Sequence, residues 1–71
     1  MRNKEAITID SIRHRVVEIS EIAGDDEHAH SLEDDLWNDV LQAIADGAPD
    51  SADLATEALK TNQVKFHRWY A

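Results

Sequence analysis

Between two glycines, Gly24 and Gly47, runs the stretch that most limits how this chain can fold: DDEHAHSLEDDLWNDVLQAIAD. Ala29, Leu32, Leu36, Val40 and Ala43 recur there at spacings of three and four, the signature of one helical face. Trp37, Leu41 and Ile44 widen that face to one side, giving a stripe broad enough to line a small core. Asp25 or Asp26 suits the N-cap, where a short carboxylate accepts bonds from the free amides of the first turn. Asp25, Asp26 and Glu27 also lie at the positive end of the helix dipole. Gly47 can adopt the left-handed conformation that closes a helix, and Pro49 prevents its resumption. The pattern predicts a helix from about residue 26 to 46.

The flanking segments must be arranged on that helix. Thr8 or Asp10 can cap a first helix, whose Ile9, Ile12, Val16, Ile19 and Ala23 form a narrower stripe. Val17 and Ile22 lie off it, facing a third element or a partner. Gly24 leaves almost no loop before Asp25, so the first two helices should be antiparallel neighbours. After Gly47, the run APDSAD has turn and cap chemistry, with Asp50 or Ser51 starting a third helix. Leu54, Ala55, Ala58 and Leu59 give it a light apolar face, too short to be stable undocked.

The fold class expected is all-α: one small three-helix domain over residues 1–71, built on an antiparallel helical hairpin. Residues 1–7 form a loose N-terminal arm. Residues 62–71 form an aromatic C-terminal lid carrying Phe66, Trp69 and Tyr70. A domain of 71 residues buries only about 60% of its unfolded surface, so Phe66 and Trp69 can be needed to close the core. Trp37, Phe66, Trp69 and Tyr70 are also candidate anchors for a partner protein, since aromatic side chains dominate interface hot spots.

Charge narrows the function. The formal net charge is −8, and residues 25–53 hold ten acids with no lysine or arginine. Phosphate contacts need positive charge, so direct nucleic-acid binding is disfavoured. An acidic face can instead attract a basic protein surface, imitate nucleic acid, bind hard cations or keep the chain soluble. The sequence has no cysteine, hence neither a disulfide framework nor a thiolate metal site. It has no apolar run near the ~20 residues that cross a bilayer and no apolar centre in its first residues. The expectation is a cytoplasmic protein without membrane contact.

Three ionisable groups fall inside the apolar arc of the central helix: Asp26, His30 and Glu33, at i, i+4 and i+7. One reading is a metal site completed by His14 or His67; His28-x-His30 is a poorer pair, because i and i+2 diverge on a helix. The other is a structural polar network, because a buried carboxylate needs a partner or a raised pKa. Glu33 would then pair with Arg13, Arg15 or Arg68. Arg13 is the favoured partner, at the edge of the first helix's stripe one turn from the residue opposite Glu33, with His30 in the same network. No nucleophile motif or phosphate loop accompanies these groups, so the sequence designates no catalytic residue and no cofactor.

The segments Ala23–Ala45 and Leu54–Ala71, with AGDDE…AH..ED and F.RWYA as their most specific pieces, resemble a group of small uncharacterised proteins of actinobacteria and their phages. The resemblance implies a phage-type accessory protein and carries over no catalytic residue. With the charge pattern, it leads to the expectation of a non-enzymatic protein that binds another, basic protein, from the host if the chain is phage-encoded. The alternatives are a small metal-binding protein with its site at Asp26, His30 and Glu33, and an acidic mimic of nucleic acid.

Overall fold

The computed structural model describes residues 6–68. Its elements are three helices, α1 (Ile9–Glu21), α2 (Asp26–Ala45) and α3 (Ser51–Leu59), followed by a 3-10 turn over Lys60–Gln63. Among the described residues there is no strand. The arm assigned to residues 1–7 falls mostly outside them, although Ile7 packs against the core.

Each helix end has a local cause. Thr8 caps α1 through a reciprocal pair: Ser11 N donates to Thr8 Oγ1 at 3.0 Å, and Thr8 N donates to Ser11 Oγ at 2.9 Å. This is a capping box with serine in place of the usual glutamate or glutamine. Asp25 caps α2 by accepting from His28 N at 3.2 Å. At the other end of α2, Ala48 N donates to Ala43 O at 3.1 Å and Gly47 N to Ile44 O at 3.0 Å, the two bonds of a Schellman closure. That closure needs a left-handed residue, and Gly47 supplies it with φ 96°. Asp50 precedes α3 without a side-chain capping bond.

The core is Ile12 and Ile19 of α1, Ala29, Leu36 and Val40 of α2, and Leu54 and Ala58 of α3. Val16, Leu32, Trp37, Ile44, Val64 and Phe66 pack around it, half-buried. Two expectations are corrected here. Leu41 and Leu59, assigned to apolar faces, are 65% and 53% exposed, because the contacts between neighbouring helices lie closer to the stripe centres. The buried side of α1 is Ile12, Arg15 and Ile19, turned toward Arg15 rather than centred on Val16. Ile22, expected to face a third element or a partner, packs against the core.

Polar bonds fix the helices relative to one another. Arg15 Nη1 reaches Asp39 Oδ2 at 2.9 Å and ties α1 to α2. Arg13 ties α1 to α3, its Nε lying 3.1 Å from Glu57 Oε1. The Trp37 indole N–H donates to Ala58 O at 3.2 Å and to Thr61 Oγ1 at 3.0 Å, joining α2 to α3 and the 3-10 turn. Among the described residues no helix is long and apolar enough to cross a membrane.

Candidate functional site

Glu33 is the centre of the polar arrangement. It is 5% exposed, because it sits on α2 between Ala29 and Leu36 on the inward face. Its arginine is Arg68: Nε donates to Oε1 at 2.9 Å and Nη2 to Oε2 at 2.8 Å, a fork-on-fork pair of the kind that adds geometric specificity to charge. Burial opposes ionisation of Glu33. The hydrogen bonds from Arg68 and the Thr61 hydroxyl, with the charges of Arg68 and His30, outweigh it and hold the carboxyl below its ordinary pKa.

Arg68 makes further contacts of its own. Nη2 also donates to Thr61 O at 2.9 Å and, with longer bonds of 3.4 Å, Arg68 reaches Val64 O and Phe66 O. Its guanidinium lies 3.9 Å over the Phe66 ring, a cation–π contact. Behind Glu33 stands Thr61, fully buried, which gives its hydroxyl proton to Glu33 and accepts the Trp37 N–H. The chain Trp37–Thr61–Glu33–Arg68–Phe66 therefore links α2, the 3-10 turn and the C-terminal segment.

The other members of the expected cluster make further contacts. Asp26 Oδ1 accepts the backbone N–H of His67 at 3.0 Å, so it holds the C-terminal segment by its main chain. His30 Nε2 lies 3.4 Å from Asp34 Oδ1. A metal at Asp26, His30 and Glu33 would have to compete with Arg68, which bonds both Glu33 oxygens. Among the described residues no group of three or more His, Cys, Asp or Glu is placed to hold a metal ion.

Arg13, expected to meet Glu33, belongs to a second cluster. It donates to both oxygens of Glu57, at 3.1 and 3.3 Å, while Lys60 Nζ lies 3.0 Å from each. The hydrogen bonds from Arg13 and Lys60 outweigh burial and depress the Glu57 pKa; the hydrogen bond to Glu57 and its charge raise that of Arg13. The correction has a geometric cause: Arg13 leaves α1 on the side facing α3, whereas Glu33 is carried by α2.

Of the aromatic candidates, Trp37 and Phe66 are half-buried against the core, and Trp69 and Tyr70 lie outside the described residues. Sequence reasoning missed Glu57 and Thr61, both buried. Their signal is present: residues 54, 57, 58 and 61 continue one helical stripe. Val64 and Phe66 alternate with polar residues in the sequence, and Arg68 is among the possible partners of Glu33; what was missed is that Arg68 continues the alternation on the same side as the two apolar residues.

The outward side of α2 contrasts with these clusters. Glu27, Ser31, Asp34, Asn38, Leu41 and Ala45 are all exposed and follow one another at spacings of four and three, so they form a single ridge. Asp35 is exposed beside it. The ion pairs of Arg13, Arg15, Lys60 and Arg68 run to Glu57, Asp39 and Glu33, none of which is on the ridge. Against family models, curated proteins and solved structures alike, the chain finds no match.

Proposed function

We propose that this chain is a small acidic domain that binds a protein with a basic surface, by way of the outward ridge of α2. One observation carries the reading: Arg13, Arg15, Lys60 and Arg68 are each engaged with acids inside the domain, while Glu27, Asp34 and Asp35 face solvent on its longest helix. Exposed charge of one sign along a ridge favours encounter with the opposite sign. Leu41 at the far end of the ridge adds an apolar contact of the kind that gives such an encounter a lifetime.

In this reading α1 and α2 act as a helical hairpin that presents the ridge, and the lid of residues 62–71, with Phe66 over the core, holds α2 in place. The role is non-enzymatic and needs no cofactor. The resemblance to small proteins of actinobacteria and their phages supports an accessory protein acting in the host cytoplasm.

The test is affinity capture with the wild-type chain and with a Glu27→Lys/Asp34→Lys/Asp35→Lys variant, at low and moderate salt. The expected result is a captured protein with a basic surface, lost in the variant and weakened by salt. A partner retained equally by the variant would refute the ridge. Competition by double-stranded DNA for the captured protein would favour mimicry of nucleic acid.

A further inference from the structure

The segment after the 3-10 turn is attached to the domain as an extended ligand is attached to a receptor. From Val64 to Arg68 burial alternates residue by residue, with Val64, Phe66 and Arg68 turned in and Lys65 and His67 turned out. That is the two-residue period of an extended chain, and Val64 has the matching angles, φ −79° and ψ 128°. The surface beneath it comes mainly from α2 and the 3-10 turn. Trp37 donates to Thr61 and the Thr61 hydroxyl to Glu33, so α2 and the 3-10 turn position part of the acceptor for the arginine. The segment borders an open depression of about 480 Å³, lined among the described residues by Asn62, Gln63, Val64, Lys65, Phe66 and Arg68.

The geometry points to the surface of Asp26, Glu33, Trp37 and Thr61 as a docking site for an extended segment of a partner protein. That segment has the pattern apolar-x-aromatic-x-arginine, and it takes the place of residues 64–68. The proposal rests on the reading of this domain as a binder of basic proteins and names the element of the partner that is bound. Charge complementarity supports it: six acids lie between Asp25 and Asp35, and among the described residues Glu33 is the one of them matched by an arginine. An arriving arginine would find a fork-shaped acceptor, and its aromatic neighbour would occupy the Phe66 position against the core. Alternate side chains giving specificity along an extended backbone is an established mode of peptide recognition. The chain's own segment then acts as a built-in competitor, present at a local concentration on the order of millimolar, which lowers the apparent affinity of any segment arriving from outside.

The test uses the full chain and a synthetic peptide of residues 62–68, titrated by calorimetry. Arg68→Ala, which cripples the competitor, should bind the peptide at least about tenfold more tightly than the wild type. A peptide with its arginine replaced by alanine should bind neither protein, and adding Glu33→Gln to Arg68→Ala should abolish binding. If Arg68→Ala does not melt cooperatively, Arg68→Lys, which keeps the charge and loses the fork, takes its place. A folded variant that ignores the peptide overturns the proposal. So does binding that is indifferent to Glu33 but lost in the ridge variant, which would leave the acidic ridge standing as the binding surface. A wild-type dimer that forms with rising concentration and disappears in Arg68→Ala would overturn the foreign partner and seat a second copy's segment in the site.

Discussion

Replacing Arg68 with alanine tests the buried ion pair, and its cost should depend on pH in a calculable way. The substitution leaves the Glu33 carboxylate at 5% exposure with the Thr61 hydroxyl as its remaining hydrogen-bond donor of those that lower its pKa. Stranding a buried charge costs about 3–5 kcal/mol. Protonation caps that penalty, because neutralising a carboxyl of ordinary pKa ~4.3 costs about 3.7 kcal/mol at pH 7 and about 1 kcal/mol at pH 5. Loss of the stack on Phe66 adds roughly 1 kcal/mol at either pH. The expected loss is therefore about 4 kcal/mol at pH 7 and about 2 kcal/mol at pH 5, against a total stability of roughly 4–10 kcal/mol for a domain this size. In the wild type the Glu33 pKa is depressed, so its contribution is present above the unfolded value and lost as pH falls through the folded one. In the variant burial dominates and raises the folded pKa, so its penalty is full at neutral pH and relieved on acidification. The gap between the two proteins must narrow as pH falls. Urea denaturation followed by far-ultraviolet circular dichroism at both pH values measures it, and a reduced m-value in the variant would report an undocked segment. An equal loss at the two pH values, or one below about 1 kcal/mol at pH 7, would refute the buried pair.

Two further expectations test the packing. Leu54→Ala removes a fully buried side chain and should cost about 2–5 kcal/mol, whereas Leu59→Ala, at a position 53% exposed, should stay within about 0.5 kcal/mol. Thermal melts that gave equal losses would mean α3 docks by a different face. Gly47→Ala should cost about 1–2 kcal/mol through its left-handed backbone alone, since an added Cβ there meets nothing within 4 Å; Gly24→Ala, equally uncrowded and without a positive φ, should be tolerated in the same assay.

The helices were legible because their punctuation is local. Thr8, Asp25 and Gly47 act on amides and carbonyls within a few residues of themselves, and the stripe around Leu36 needs no knowledge of its neighbours. Which face each stripe buries is a tertiary fact. Leu41 and Leu59 satisfy the helical period as well as Val40 and Ala58 do, but lie at the margins of their arcs, where a small bundle has no third layer to cover them. The need of Glu33 for a cation was readable from its place among apolar residues. The identity of that cation was not, because the segment that brings Arg68 to Glu33 is extended and Arg68 lies 35 positions from Glu33 in sequence.

The exchange of partners between Arg13 and Arg68 follows from one geometric rule. Residues two apart on a helix point about 200° apart, which is why His28 and His30 make a poor chelating pair. The same rule governs Arg13 and Arg15, and in a three-helix domain α1 has a neighbour on each flank. Arg15 therefore reaches Asp39 of α2 and Arg13 reaches Glu57 of α3; Arg13 cannot turn to Glu33 without abandoning its flank, and Arg15 meets α2 at Asp39, about 9 Å along the helix from Glu33. A hairpin considered alone offers α1 only α2, and both arginines then seem to compete for the same acid. Adding α3 gives each a separate acid and leaves Glu33 unmatched by α1. The arginine for Glu33 must then come from beyond α3, and Arg68, set in phase with Val64 and Phe66, arrives with its side chain already turned toward the core.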